Sequence, residues 1–258
     1  MVHLKELSGE ERILQSRFQD AIYTAQMKNQ PKFIGFLDIR QQEILKAVSA
    51  ANTFTSWQLY GGFPEAERKV AGFFPSYMDT DELQSDFFPI LSFTAHFREQ
   101  DKLSHRDFLG SLMGLRISRE MIGDILVGNG LAVFFALEKA APILLDEFVK
   151  VGRIGVTLSQ GAQDLDKLRP KQIVLAGTVS SNRLDAVVAF LTRLSREKAQ
   201  GMIRQELVKV DGQVRVDVAG QVKAPSLLSI RGYGKYAVRA FNGISKKGRL
   251  HIEAGHYQ

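Results

Sequence analysis

The chain has 258 residues, 45% hydrophobic and 24% charged, with 34 Lys and Arg against 28 Asp and Glu for a net charge of +6. An apolar fraction near the globular average excludes wholesale disorder, and the length accommodates one large domain or two to three small ones. There is no cysteine, which excludes disulfides, Cys-ligated zinc, iron–sulfur clusters and a thiolate nucleophile, and fits a reducing compartment.

The N-terminal residues Met1 to Glu6 are charged with no apolar run behind them, so no signal peptide is predicted. Ser8-Gly9-Glu10-Glu11 is a capping-box pattern, and Ile13, Leu14, Phe18, Ala21, Ile22 and Ala25 follow at helical spacing up to Pro31. Asp38 to Ala51 predicts a second helix. Gly61-Gly62-Phe63-Pro64 predicts a turn, and Glu65 to Phe73 a short helix ended by Pro75. Residues 1–80 therefore form a helical N-terminal domain, and the polar, acidic stretch 76–86 marks its boundary.

From there the pattern alternates. Phe88 to Ala95 reads as a strand, and Ser104 to Leu115 as a helix. Ile122 to Val127 and Leu131 to Leu137 read as strands joined by Gly128-Asn129-Gly130, a hairpin signal because these residues tolerate positive φ. Leu131 to Leu137 is also the longest apolar run, too short for the ~20 residues a membrane span needs. Glu138 to Val151 predicts a helix and Ile154 to Leu158 a last strand. The succession strand–helix–strand–strand–helix–strand predicts a ferredoxin-like or RNA-recognition-motif-like domain over residues 84–178, in an α+β chain. Its third strand carries Phe134 beside Phe135 and no basic residue, which assigns these rings to the core, not to base stacking.

The charge is concentrated at the end. Residues 1–180 carry 20 Lys and Arg against 22 Asp and Glu, and residues 181–258 carry 14 against 6, a net of +8. Such asymmetry marks a segment that meets a polyanion; a merely solvated basic face is the bland alternative. Ser181-Asn182 predicts an N-cap, with Leu184, Val187, Val188, Leu191 and Leu194 on one helical face. Ser195 starts a second helix, in which Ala199, Met202 and Ile203 face inward and Arg196, Gln200 and Arg204 line the opposite side. The pair presents Arg183, Arg193, Arg196, Lys198 and Arg204 near one another, a geometry suited to phosphate because the guanidinium fork bonds two oxygens. Leu207 to Val210, a turn at Asp211-Gly212 and alternating Val214 to Val218 predict a hairpin. Ile230-Arg231-Gly232-Tyr233-Gly234-Lys235-Tyr236 reads as a loop able to approach a backbone closely.

Arg183-Leu184-Asp185, Leu194-Ser195-Arg196 with Ala199 and Ile203, Val208 to Gly212 and Ile230 to Lys235 together resemble the S-four RNA-binding domain. The chain departs from that pattern at Glu206, where the family usually has Gly, and at Ser226-Leu227-Leu228, where it usually has Gly-Asp. Upstream, Gly61 to Arg68, His105 to Gly110 and Ile122 to Val127 resemble the YlmH family of bacterial S-four proteins along nearly the whole length. The resemblance implies a cytoplasmic protein with an S-four module at residues 181–258. Its partners would be ribosomal RNA or tRNA at the large ribosomal subunit, with a genomic link to cell division and no cofactor, metal or membrane. Phosphate contacts are expected from Arg193, Arg196, Lys198, Arg204 and Lys209, sugar or base contacts from Arg231, Tyr233 and Lys235, and Arg183 and Ser195 are expected among the RNA-binding residues.

Enzymatic alternatives are weaker. His105-Arg106-Asp107 would need an Asn five residues on to resemble a kinase catalytic loop, and position 112 is Leu. Arg183-Leu184-Asp185 resembles a pseudouridine-synthase motif, but too little chain follows for that catalytic domain. The five His show no metal spacing, and Gly232-Tyr233-Gly234 lacks a dinucleotide-fold context. The alternatives to a non-enzymatic RNA-binding protein are an RNA-modifying or RNA-processing enzyme using Asp107, Asp124 and His105 in the middle domain, and a protein–protein adaptor in division.

Overall fold

The capping box at Ser8 forms as its spacing predicts: Ser8 Oγ accepts from the Glu11 N–H (3.3 Å) and Glu11 Oε2 from the Ser8 N–H (2.9 Å). It starts helix α1 (Gly9–Lys28), which ends where Asn29 turns left-handed. Strand β1 (Lys32–Leu37), helix α2 (Ile39–Ala51, capped by Asp38), and strands β2 (Trp57–Tyr60) and β3 (Lys69–Phe73) follow. The computed structural model describes residues 7–78, 87–169 and 171–257, and backbone contacts divide the chain into units of residues 1–169 and 170–258. The N-terminal reading at Met1 to Glu6 and most of the acidic boundary stretch, residues 79–86, lie outside the described residues.

The N-terminal segment is not purely helical. Its three strands form an antiparallel sheet in the order β1-β3-β2, and residues 69–73, expected to be helical, are the central strand. Val70 and Phe73 are strand formers, the segment is buried, and pairing with Phe33 and Ile34, far away in sequence, outweighed the local helical pattern. The helices α1 and α2 cover one face through Phe18, Ile22, Ile44, Leu45, Ala71 and Phe73.

Strand β4 (Ile90–His96), helix α3 (His105–Gly114), strands β5 (Ile122–Val127) and β6 (Leu131–Leu137), helix α4 (Ala141–Glu147), strands β7 (Lys150–Val151), β8 (Ile154–Gly155) and β9 (Thr157–Gln160), and helix α5 (Leu165–Leu168) complete the first unit. The hairpin turn at Gly128 to Gly130 joins β5 to β6 as expected. The stretch expected as one helix over 138–151 gives only a short 3-10 turn and α4 before the chain enters the β7–β8 hairpin. The sheet order is β5-β6-β4-β9, antiparallel throughout.

Both faces of β6 are buried. Ala132, Phe134 and Ala136 pack with Phe108, Leu112, Leu144 and Phe148 under the helices. Val133, Phe135 and Leu137 pack on the other side with Phe36, Phe63, Val70, Phe74 and Phe88. Gly62, at φ +99°, lies so close to the Phe135 ring that a Cβ there would collide with it, so the Gly-Gly-Phe-Pro turn is built for this contact.

The second unit opens with strand β10 (Gln172–Val179), then helices α6 (Leu184–Thr192) and α7 (Arg196–Arg204). Strands β11 (Val208–Val210), β12 (Gln213–Val214), β13 (Ser226–Ile230), β14 (Gly234–Ile244) and β15 (Leu250–Tyr257) follow. The six strands lie in the order β10-β15-β14-β13-β11-β12. Val187, Val188, Leu191, Ala199 and Ile203 pack α6 and α7 onto Val208, Leu228, Ile230, Tyr236, Val238 and Ile252.

Two expectations change here. The alternating Val214 to Val218 stretch leaves the sheet after Val214, because the carbonyls of Val218 and Gly220 accept from the Asp185 and Leu184 N–H groups at the start of α6 (3.3 and 2.7 Å). That main-chain cap also replaces the Ser181-Asn182 cap, so Arg183 becomes the N-cap residue. The Asp211-Gly212 turn forms with both residues at positive φ.

Glu206 adopts φ +60° just beyond α7, the left-handed position where helices favour glycine. Replacing Glu206 with Gly is expected to stabilise the second unit by about 1 kcal/mol, read as a raised melting temperature. A lowered one would contradict the strain.

Candidate nucleic-acid interface

The centre of the basic unit is an acid. Asp185 sits on the first turn of α6 in an otherwise apolar run, and its side chain is fully buried. Arg183 Nε and Nη2 donate to its two oxygens (3.2 and 3.3 Å), and Arg196 Nε and Nη2 do the same from the first turn of α7 (2.9 and 3.1 Å). Gln200 Nε2 adds a fifth donor at 2.9 Å. Burial pushes this carboxyl up, but the Arg196 and Arg183 guanidiniums and the Gln200 amide outweigh it and hold Asp185 well below the usual carboxylate range. The same carboxylate fixes two guanidiniums that remain almost half exposed, 41% and 47% of their side chains. Asp185 is thus a positioning residue for Arg183 and Arg196, and it fastens α7 to α6.

Arg193 closes α6 in the left-handed conformation, and Ser195 Oγ caps α7 by accepting from the Lys198 N–H (3.3 Å). Arg193 and Lys198 are exposed around this junction, and Arg204 is exposed at the other end of α7. The loop Arg231-Gly232-Tyr233 between β13 and β14 is tied at the C-terminal end of α7. The Arg231 N–H donates to the Leu207 carbonyl (2.9 Å), just beyond α7. The Tyr233 carbonyl accepts from Tyr236 Oη and from His256 Nε2 (both 3.1 Å), and those two rings stack 4.3 Å apart. Burial raises the Tyr236 phenol above its ordinary value while Arg193 pulls it down.

The ten expected residues do not share one surface. Arg183, Arg193, Ser195, Arg196, Lys198 and Arg204 belong to the helix pair, with Arg231 and Tyr233 in the adjoining loop. Lys209 pairs across β11 with Ser229, and Ser229 pairs across β13 with Lys235. Val208, Val210, Leu228, Ile230 and Tyr236, which alternate with them, pack under the helices. Lys209 and Lys235 therefore point to the opposite face of the sheet. Arg196, Gln200 and Arg204 lie opposite the buried Ala199 and Ile203 as their spacing predicts, but the donation of Arg196 and Gln200 to Asp185 was not foreseen. The signal that could have revealed this was one carboxylate within Leu184-Asp185-Ala186-Val187-Val188.

The residues considered for catalysis in the first unit hold structure together. Asp107 accepts from the Ser104 N–H and hydroxyl (2.8 and 2.6 Å), closing the start of α3 that His105 begins. Asp124 accepts from the Glu67 and Arg68 N–H groups (2.6 and 3.1 Å), burial raising its carboxyl while these bonds pull it back. The Arg68 side chain donates to the carbonyls of Ile122, Phe36 and Arg119 (3.1, 2.6 and 3.3 Å). Arg119 Nη1 reaches the same Ile122 carbonyl (2.6 Å), its guanidinium brought down to about 10 by burial and by Arg68. Among the described residues no helix is long and apolar enough to cross a membrane.

Comparison with known proteins adds three likenesses. Residues 84–164 match the family model YlmH_RBD, described as "Putative RNA-binding domain in YlmH". The chain is 33% identical over 223 residues to the Ribosome-associated protein quality control protein P2 of Bacillus subtilis (strain 168), covering 86% of this chain and 85% of that protein. Its fold is similar to the solved structure of cell division protein ylmH from Streptococcus pneumoniae, with a TM-score of 0.52 and 22% identity, over 63% of this chain and 96% of the other.

Proposed function

The chain belongs to the YlmH family, and from that premise we propose that it is a non-catalytic RNA-binding protein that docks on structured RNA of the ribosome. The observation that carries this is the Asp185 clamp: it holds two exposed guanidiniums in fixed orientation, on a helix pair that also exposes Arg193, Lys198 and Arg204 and adjoins the Arg231–Tyr233 loop. Fixed, forked donors suit phosphate oxygens, and phosphate contacts dominate binding to structured RNA, whose deep groove hides base edges. The name of the Bacillus relative supports the ribosome as the setting, and ribosomal RNA or tRNA at the large subunit is the target we propose. That setting would make the protein cytoplasmic. The succession of elements from β4 to β9 and the β5-β6-β4-β9 order support a ferredoxin-like reading of the segment proposed at residues 84–178, except that β10 at its end pairs with β15 of the second unit, and the helix pair with its basic loop supports an S-four-type module in residues 181–258. With both faces of β6 buried, any RNA contact of the middle segment uses its edges and loops, not its sheet.

Arg196 is a poor site for testing this, because losing it exposes Asp185 to unfolding effects. Lys198 and Arg204 are clean: both are exposed. The double reversal Lys198→Glu and Arg204→Glu is expected to weaken binding of the purified protein to structured RNA. It should also flatten the slope of log K against log salt by about 1.4–1.8, two contacts' worth. Unchanged affinity and slope, with an unchanged melting temperature, would refute the assignment.

A further inference from the structure

Resting on the RNA-binding reading, we infer that the tip of the β14–β15 hairpin is a second phosphate-contact point, separate from the Arg231–Tyr233 loop and engaging the same RNA duplex. Strand β14 starts at Gly234, next to that loop, and ends at Ile244. Ten residue steps along a strand span at most on the order of 30 Å, and two irregularities in the pairing with β15, between Val238 and Ala240 and between Phe241 and Ile244, bend β14 between its ends. β13 accompanies β14 only as far as Val238, so the distal part is an extension held by β15, with β10 beyond it.

The tip is built to be rigid. The Ser245 N–H donates to the Arg249 carbonyl (2.7 Å), the Gly248 N–H to the Ser245 carbonyl (2.9 Å), and Ser245 Oγ accepts from the Arg249 N–H (3.0 Å). Gly248 supplies the positive φ of the turn, at +72°. The Arg249 guanidinium fastens the tip to β10 through the Thr178 carbonyl and hydroxyl (2.9 and 3.0 Å). At the apex Lys246 and Lys247 are exposed, and no acidic residue occurs from Ala240 to Ile252. Ile244, 74% exposed beside them, offers an apolar surface that a ribose edge can cover.

A rigid, purely cationic apex at the far end of a strand from another basic loop fits a polyanion with charges repeated along its length. A span of up to roughly 30 Å reaches about one turn of a duplex, the distance over which a groove presents phosphates again. A duplex lying along β14 and β15 would meet both ends.

The test uses the full chain and two RNA duplexes, one of about 20 base pairs and one of about 8, too short to span both points. The variant Lys246→Ala with Lys247→Ala is expected to bind the long duplex more weakly, with a salt slope flattened by about 1.4–1.8, and the short duplex as the wild type does. No change on the long duplex, or an equal change on both, overturns the second contact point. Loss of ribosome co-sedimentation with unchanged duplex binding would assign the tip to an acidic protein and also overturn it. A wild-type protein that binds neither duplex refutes the RNA-binding reading itself, a result distinct from the other three.

Discussion

Replacing Asp185 with Ala is expected to cost the second unit about 3 kcal/mol, for the charge-assisted hydrogen bonds lost while the half-exposed guanidiniums of Arg183 and Arg196 turn to water. Arg183, Arg196 and Gln200 all lose their acceptor at once, and with it α7 loses its fastening to α6. For a unit of this size that corresponds to a fall in melting temperature of well over about 10 °C. The only tryptophan, Trp57, lies in β2 of the first unit. Its fluorescence therefore follows the first unit, while calorimetry records the melting of both. The two signals should separate in the variant, the second unit melting first. A triple change that turns Asp185, Arg183 and Arg196 into apolar residues is expected to recover much of the loss while abolishing RNA affinity, dividing stability from binding. The pH dependence has a definite sign. A carboxyl depressed in the folded state stabilises fully above its unfolded value near 4, and that contribution drains away as pH falls below it. The wild-type second unit should hold its melting temperature from pH 8 to 5 and lose it below about 4. The Asp185→Ala variant should be flatter there; an equal acid loss would remove Asp185 from the account.

The second large effect is expected at Arg68. Its guanidinium bridges carbonyls from β1, β5 and the short turn before β5, and its own N–H is held by Asp124. Arg68→Met keeps the aliphatic length but takes a donor from three part-buried carbonyls; that of Ile122 keeps Arg119 Nη1 and that of Arg119 keeps the Ile122 N–H, so the expected cost is about 1–3 kcal/mol. Trp57 fluorescence should report the lower melting point. Arg68→Lys should rescue little, because a single ammonium cannot reach three acceptors set by a planar fork. Full stability in Arg68→Lys would show that charge, not the fork, is what matters.

The elements that read correctly from sequence are those whose cause is local. The Ser8 box, the Asp38 helix start, the Gly128 to Gly130 hairpin, the Asp211-Gly212 turn and the apolar stripes of α6 and α7 each depend on residues within one or two turns of chain. What was missed depends on partners far away. β10 pairs with β15 across more than 70 residues, and β3 finds β1 across more than 30. No local periodicity announces such pairings. The site shows the same division. The basic residues of the second unit are visible as composition, whereas their sorting between the helix pair and the opposite sheet face follows from strand register. The Asp185 clamp joins residues 11 and 15 positions apart through a helix–helix contact.

The doubly buried strand β6 has a practical consequence for anyone dissecting the molecule. The YlmH_RBD match begins at residue 84, a tempting place to cut. A fragment starting there would lose Phe36, Phe63, Val70 and Phe74, and so hand Val133, Phe135 and Leu137 to water. Each such side chain contributes about 1.5–3 kcal/mol when buried, and together they form a flat, greasy strand surface of the kind that drives self-association. Failure of such a fragment to stay in solution would reflect where the scissors fell, and a fragment running from the first helix to Arg169 keeps the cover in place.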